Sequence, residues 1–275
     1  MNPDQRSVFV SGAFDNIRSH HLRLLQEAAK AGPVSVLLWP DAAITSAAGS
    51  PPNYPLPERR YFLNAVRYVS RVIAVSGQID PDALLETAVV GPGVWVDEEP
   101  VSSEARRRSC QRHGFEYRII TDAQLAGFPE TAVEPAPSGR KKVVVTGCYD
   151  WFHSGHVRFF EEVSAYGDVY VIVGHDKNIR FLKGEGHPLV PENERRYLAG
   201  SVRYVKQALI SSGDGWLDAD PEIQRLKPDI YAVNEDGDRG GKREYCQQNG
   251  IEYLVLRRTP APGLPRRSST DLRGF

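Results

Sequence analysis

The chain has 275 residues, a formal net charge of −1 and three cysteines, Cys110, Cys148 and Cys246. The near-neutral charge gives no general reason to expect a nucleic-acid or acidic-lipid partner, and three widely spaced cysteines make neither a disulfide framework nor a zinc pattern. The first residues carry no signal-peptide core and no apolar run approaches the roughly 18 residues of a membrane span, so a soluble protein of the reducing cytoplasm is expected.

In chain order, the second half repeats the first. Ser11-Gly12-Ala13-Phe14-Asp15 returns 135 residues later as Thr146-Gly147-Cys148-Tyr149-Asp150. Glu58-Arg59-Arg60-Tyr61, Val66-Arg67-Tyr68-Val69 and Cys110–Tyr117 return 136 residues later, at Glu194–Tyr197, Val202–Val205 and Cys246–Tyr253. Four matches in one order identify a tandem duplication. The Pro-, Ala- and Glu-rich stretch from Pro129 to Arg140 reads as the join, giving domains 1–130 and 141–275 with a linker over 131–140.

The first half offers strands at Val8–Val10, Val34–Trp39, Val89–Val96 and Tyr117–Ile120. The second offers Val143–Thr146, Val169–Val173, Asp229–Val233 and Ile251–Leu256, with an extra strand at Gln207–Ile210 and helices beginning near Gly155, Glu192, Asp220 and Lys242. Strands alternating with helices predict an α/β fold in each half, a Rossmann-like doubly wound parallel sheet whose ligand lies beyond the carboxyl ends of the strands.

The residues at those ends in the second half are rich in phosphate-binding chemistry. His153 and His156 flank Gly155 where a strand turns into a helix, so imidazole donors and helix amides could face one anion. Gly174-His175-Asp176 follows the next strand as a sugar or base contact, and Lys183 sits with Lys177 and Arg180 on a loop closed by Gly184 and Gly186. Lys183 suits a mobile cation over a polyphosphate, whereas Lys177 and Arg180 read as solvated. Arg195 opens a helix, although its repeat at Arg59 is equally compatible with a structural role. Asp236 lies in an acidic turn after the third major strand. Arg258, with Ser268, Ser269 and Thr270 at a Ser-x-x-Asp cap, forms a second anion site and the start of a short helix.

These residues resemble the His-x-Gly-His nucleotidyltransferases, and within them the cytidylyltransferase-like family. Gly147–His156 looks like the first signature, Arg203-Tyr204-Val205 like a segment near the dimer interface, and Arg267–Leu272 like the closing signature. The tandem arrangement is similar to that of ethanolamine-phosphate cytidylyltransferases. The resemblance implies transfer of CMP from CTP to a small phosphomonoester or phosphonate acceptor with release of pyrophosphate, usually with magnesium. It assigns His153, His156 and Lys183 to catalysis, and Gly147, Tyr149, Asp150, Gly155, Asp176, Arg195, Asp236, Arg258, Ser268, Ser269 and Thr270 to the nucleotide. Adenylyl transfer is the alternative within the same chemistry, and a non-catalytic nucleotide-binding protein the alternative outside it. A fragment of a class I aminoacyl-tRNA synthetase is disfavoured by the lack of a Lys-Met-Ser-Lys-Ser segment.

In the first half the matching turn reads Arg18-Ser19-His20-His21, so one histidine and the glycine are replaced, and Ala42–Ser50 carries no lysine. That half is expected to be catalytically silent and to pair with the other as an intrachain pseudo-dimer.

Overall fold

The computed structural model describes residues 6–77, 79–80, 82, 92–130 and 138–268, and the chain divides into two units, Met1–Gly127 and Phe128–Gly274. Phe128 and Glu130 belong with the second unit: the Phe128 ring lies 5.9 Å from that of Tyr197, and Arg196 bonds both the Phe128 carbonyl and the Glu130 carboxylate.

In the first unit the elements are β1 (Ser7–Gly12), α1 (Ser19–Ala29), β2 (Val34–Leu38), α2 (Asp41–Ala48), α3 (Leu56–Ala65), β3 (Val69–Ala74), β4 (Gly93–Glu98), α4 (Glu104–Arg112), β5 (Glu116–Ile120) and the short α5 (Asp122–Leu125). The second unit repeats the plan: β6 (Lys142–Gly147), α6 (Ser154–Ser164), β7 (Asp168–Val173), α7 (Asp176–Lys183), α8 (Glu192–Gly200), β8 (Val205–Ile210), α9 (Asp220–Leu226), β9 (Ile230–Asn234), α10 (Lys242–Gln248) and β10 (Glu252–Leu256). Each sheet is wholly parallel, in the order β3-β2-β1-β4-β5 and β8-β7-β6-β9-β10. The strand order reverses between β1 and β4 and between β6 and β9, which opens a crevice at those carboxyl ends.

The duplication reaches the level of register. Val8 pairs with Val34 as Val143 pairs with Val169, and both sheets carry an irregularity at the same place, between Val34 and Ser35 and between Val169 and Tyr170. The strands are Val-rich because both faces are covered by helices. Trp95 and Cys110 in one unit, and Tyr231 and Cys246 in the other, sit in equivalent core clusters. Burial pushes both thiols up to about 11, which makes them packing residues.

Two sequence expectations change. The segment expected as a basic loop is helix α7, because His175 caps its first turn by accepting from the Asn178 amide at 3.2 Å and buried Asn178 clasps the backbone of Gly215 on both sides. Strand β3 is an element the sequence reading passed over, its Ser-Arg interruption placing exposed residues within an otherwise apolar run. Of the strand expected at Val89–Val96, residues 89–91 lie outside the described residues, as does the short helix expected to begin near Ser268.

Candidate active site at the end of the first strand of the second unit

The turn after β6 is built by residues that both units share. Tyr149 takes a left-handed φ of 55°, as Phe14 does at 47°, and the ring folds back over the preceding glycine. A Cβ on Gly147 would stand 2.8 Å from the Tyr149 ring, so only glycine admits this turn. Asp150 then accepts the amides of Leu189 and Val190 at 2.8 and 2.9 Å, as Asp15 accepts those of Asn53 and Tyr54 at 2.8 Å. Arg195, fully buried, donates to the carbonyls of Val190 and Cys148 at 2.8 and 2.6 Å and to Asp176 Oδ1 at 2.6 Å. Arg59 makes the same contacts with Tyr54, Ala13 and Asp41.

Five residues expected to touch the nucleotide are engaged in the frame of the unit itself. Gly147, Tyr149, Asp150 and Arg195 frame the turn, and Asp176 is the counter-ion of Arg195. The physical reason is burial: Tyr149, Asp150 and Arg195 are at most 6% exposed, and Asp150 Oδ1 and the Arg195 guanidinium are bonded within the unit. His175, read as part of a sugar or base contact, likewise caps α7 and approaches the Gly213 carbonyl at 2.8 Å through Nε2.

The residues that differ between the units gather at the N-terminus of α6. This helix is held to the sheet by Val157, Phe160 and Val163, one turn apart on its buried face. His153 occupies the cap position, with Nδ1 accepting the Gly155 amide at 3.0 Å, while the His153 amide donates to His156 Nδ1 at 3.3 Å. Both rings thus carry their proton on Nε2 when neutral, and they stack at 4.0 Å. A Cβ on Gly155 would lie 2.8 Å from the His153 ring, so this glycine lets the imidazole close on the helix. His156 packs between Tyr149 and Phe152, 5.2 and 5.3 Å from their centroids. Burial first, then His153 and the positive charges of Arg258 and Lys183, hold its pKa well below the usual histidine range. His156 is consequently a neutral hydrogen-bond donor, which refines the sequence expectation that the histidines neutralise charge.

Positive charge comes instead from side chains around the pair. Lys183 ends α7, exposed beside Gly184, and its charge is felt at both Cys148 and His156. Burial nevertheless raises the Cys148 thiol, so it is no thiolate. Arg258 pairs with Asp236 and donates to the Arg267 carbonyl at 3.0 Å, while its amide donates to Glu235 at 3.3 Å. The Arg267 carbonyl in turn lies 3.6 Å from the place of a Gly155 Cβ, so the C-terminal segment crosses the helix end. Asn234 and Arg266 line the same narrow cleft with Ser154, Gly155, Arg258 and Arg267. Arg266 is a site candidate that sequence reasoning missed, although its position beside Arg267 was a signal. Ser268 is half-buried at the end of this segment, and Ser269 and Thr270 lie outside the described residues. Lys177 and Arg180 face solvent, as expected.

The first unit lacks this set. Ala48 stands at the place of Lys183 and Asp122 at that of Arg258, where its amide still donates to Glu99 as that of Arg258 does to Glu235. Its paired imidazoles, 3.8 Å apart and tilted by 36°, are His20 and His21, so the second ring comes from within the helix and not from the cap.

The fold and site define a tandem doubly wound α/β protein with paired imidazoles at a helix N-terminus, and lysine and arginine side chains near them, at the switch point of its second sheet. The cytidylyltransferase-like family model matches residues 144–274. An FAD synthase of Ferroglobus placidus is 37% identical over 120 residues, 42% of this chain and 75% of that protein. An FAD synthase of Methanocella paludicola is 33% identical over 135 residues, 48% and 93% of the two chains. The bifunctional protein HldE of Geobacter metallireducens is 30% identical over 153 residues, 54% of this chain and 30% of that one. The chain belongs to the cytidylyltransferase-like family of His-x-Gly-His nucleotidyltransferases.

Proposed function

We propose that the second unit transfers a nucleotidyl group from a nucleoside triphosphate to a small phosphorylated acceptor. An acceptor phosphate oxygen attacks the α-phosphorus, a P–O bond forms as the bond to the β-phosphate bridge breaks, and pyrophosphate leaves with that oxygen's electron pair. The nucleophile is already anionic near neutral pH, so the protein's work is positioning and charge stabilisation. The observation that carries this reading is the pair of imidazoles, His153 and His156, stacked at 4.0 Å at the amino end of an 11-residue helix that the Arg258-bonded segment crosses. The Nε2–H groups of His153 and His156 supply donors, Lys183 and Arg258 supply charge, and the helix amides complete the cradle.

Among the described residues no three His, Cys, Asp or Glu side chains come together as a metal cage. Magnesium, if used, fits as an ion carried by the triphosphate with few protein ligands. For the donor base, the likeness to the cytidylyltransferase-like family favours CTP. The relatives named FAD synthase favour a second reading, ATP with a flavin phosphate as acceptor, because FAD joins an adenylate to FMN. Pyrophosphate release across the four nucleoside triphosphates, each with FMN, other phosphomonoesters and phosphonates, separates these readings. Release unaffected by His156→Ala would overturn the site, and no release with any pair would favour a binding protein. The first unit, without the counterparts of Lys183 and Arg258, is proposed to be catalytically silent.

A further inference from the structure

The first unit has been rebuilt as well as stripped. At the ends of β1 and β4 lies a cavity of about 540 Å³, in the crevice where its strand order reverses. A volume of a few hundred Å³ is that of ordinary small-molecule sites. Several of its lining residues have no counterpart in kind in the second unit. Trp39 stands where that unit has Gly174, and the two backbones superpose in role: the Trp39 amide donates to Gly12 as the Gly174 amide donates to Gly147. Asp97, 3% exposed within β4, replaces Val233 of β9, its strand neighbour Ile119 matching Val255.

A carboxylate introduced into a strand core is costly unless its bonds are arranged. Here they are: Asp97 accepts from Trp95 Nε1 at 3.1 Å, Arg106 at 2.7 Å and the Tyr117 hydroxyl at 2.9 Å. Tyr117 is pushed up to about 12, by burial and then by Asp97, and stays a donor. Arg106 is thereby committed to Asp97 and, at 3.5 Å, to Asp82. His21, which also lines the cavity, is driven down to about 3 by burial, then by His20 and Arg18, and is neutral at pH 7. Asp15, Asp82, Asp97 and Glu98 therefore line the cavity together with a single guanidinium, that of Arg106, which is already paired with Asp97 and Asp82. Such a cavity rejects a polyphosphate and suits a donor-rich ring compound laid against Trp39 and Phe14.

We propose that the first unit binds a phosphate-free nucleoside in the cavity between Phe14, Trp39 and Asp97. This stands whether or not the second unit has the activity proposed above. The test is isothermal titration of the full chain carrying His156→Ala and Arg258→Ala, which disable the second site, with adenosine, cytidine, guanosine and uridine and with ATP and CTP. At least one nucleoside is expected to bind with a Kd of about 1 mM or tighter, and more tightly than its triphosphate. Val101→Trp, at a rim position 51% exposed and hence tolerant of a larger side chain, should weaken that nucleoside about tenfold or more by blocking entry. Trp39→Ala should weaken it as well, giving a second variant should the first disturb folding. Binding of no nucleoside, tighter binding of the triphosphate, or equal binding in both folded variants overturns the proposal.

Discussion

Replacing Arg195 separates a structural arginine from a nucleotide-binding one. Its guanidinium is 0% exposed and makes three bonds of 2.6–2.8 Å, to two carbonyls and a carboxylate. In Arg195→Met the Cys148 and Val190 carbonyls are left without their donor, at about 1–3 kcal/mol each, and the 31% exposed Asp176 loses its counter-ion, which together comes to about 3–5 kcal/mol. For a unit of this size each kcal/mol lowers Tm by about 2–4 °C, so the second unit should melt roughly 6–20 °C earlier. Arg59→Met should do the same to the first unit, since Arg59 bonds Tyr54, Ala13, Trp39 and Asp41. Scanning calorimetry of each variant reads this directly. Arg195→Met that melts with the wild type while nucleotide binding is lost would refute the structural assignment and restore the arginine to the ligand.

Gly155→Ala places a methyl 2.8 Å from the His153 ring, which is boxed by its cap bond and by His156 and must shift; a displacement of this kind costs about 10–100-fold in kcat/KM for pyrophosphate release, with Tm within a few degrees, and unchanged turnover would defeat the reading. Lys183→Ala should lower the same rate by about 10²–10³ and leave the melting temperature unmoved, because the side chain is exposed at a helix end. His21 and His156 have folded pKa values below their unfolded value of 6.5, so unfolding takes up protons in acid. The stability they confer is complete above about pH 6.5 and is lost as pH falls, for His21 down to about 3, with a slope approaching about 1.4 kcal/mol per pH unit for each group. Urea unfolding at pH 7.5 and 5.0 measures it, and His21→Gln should flatten the pH dependence of the first unit.

The sequence by itself determined the duplication, the doubly wound sheets and the histidine turn, because these are written in local pattern: Val-rich strands, a glycine before a helix, and matching segments 135–136 residues apart. It could not separate Arg195 and Asp150, whose side chains bond the unit's own backbone, from Lys183 and Arg258, whose charges are felt at His156. Charge and proximity to a motif are alike in both pairs, and only burial and bonding partners divide them. The tertiary structure also revealed Asp97 as a bonded buried carboxylate, since its partners Arg106 and Tyr117 arrive from a helix and a neighbouring strand. Whether a polar residue serves the frame or faces the crevice is decided by what the fold brings against it, over separations that no local pattern records.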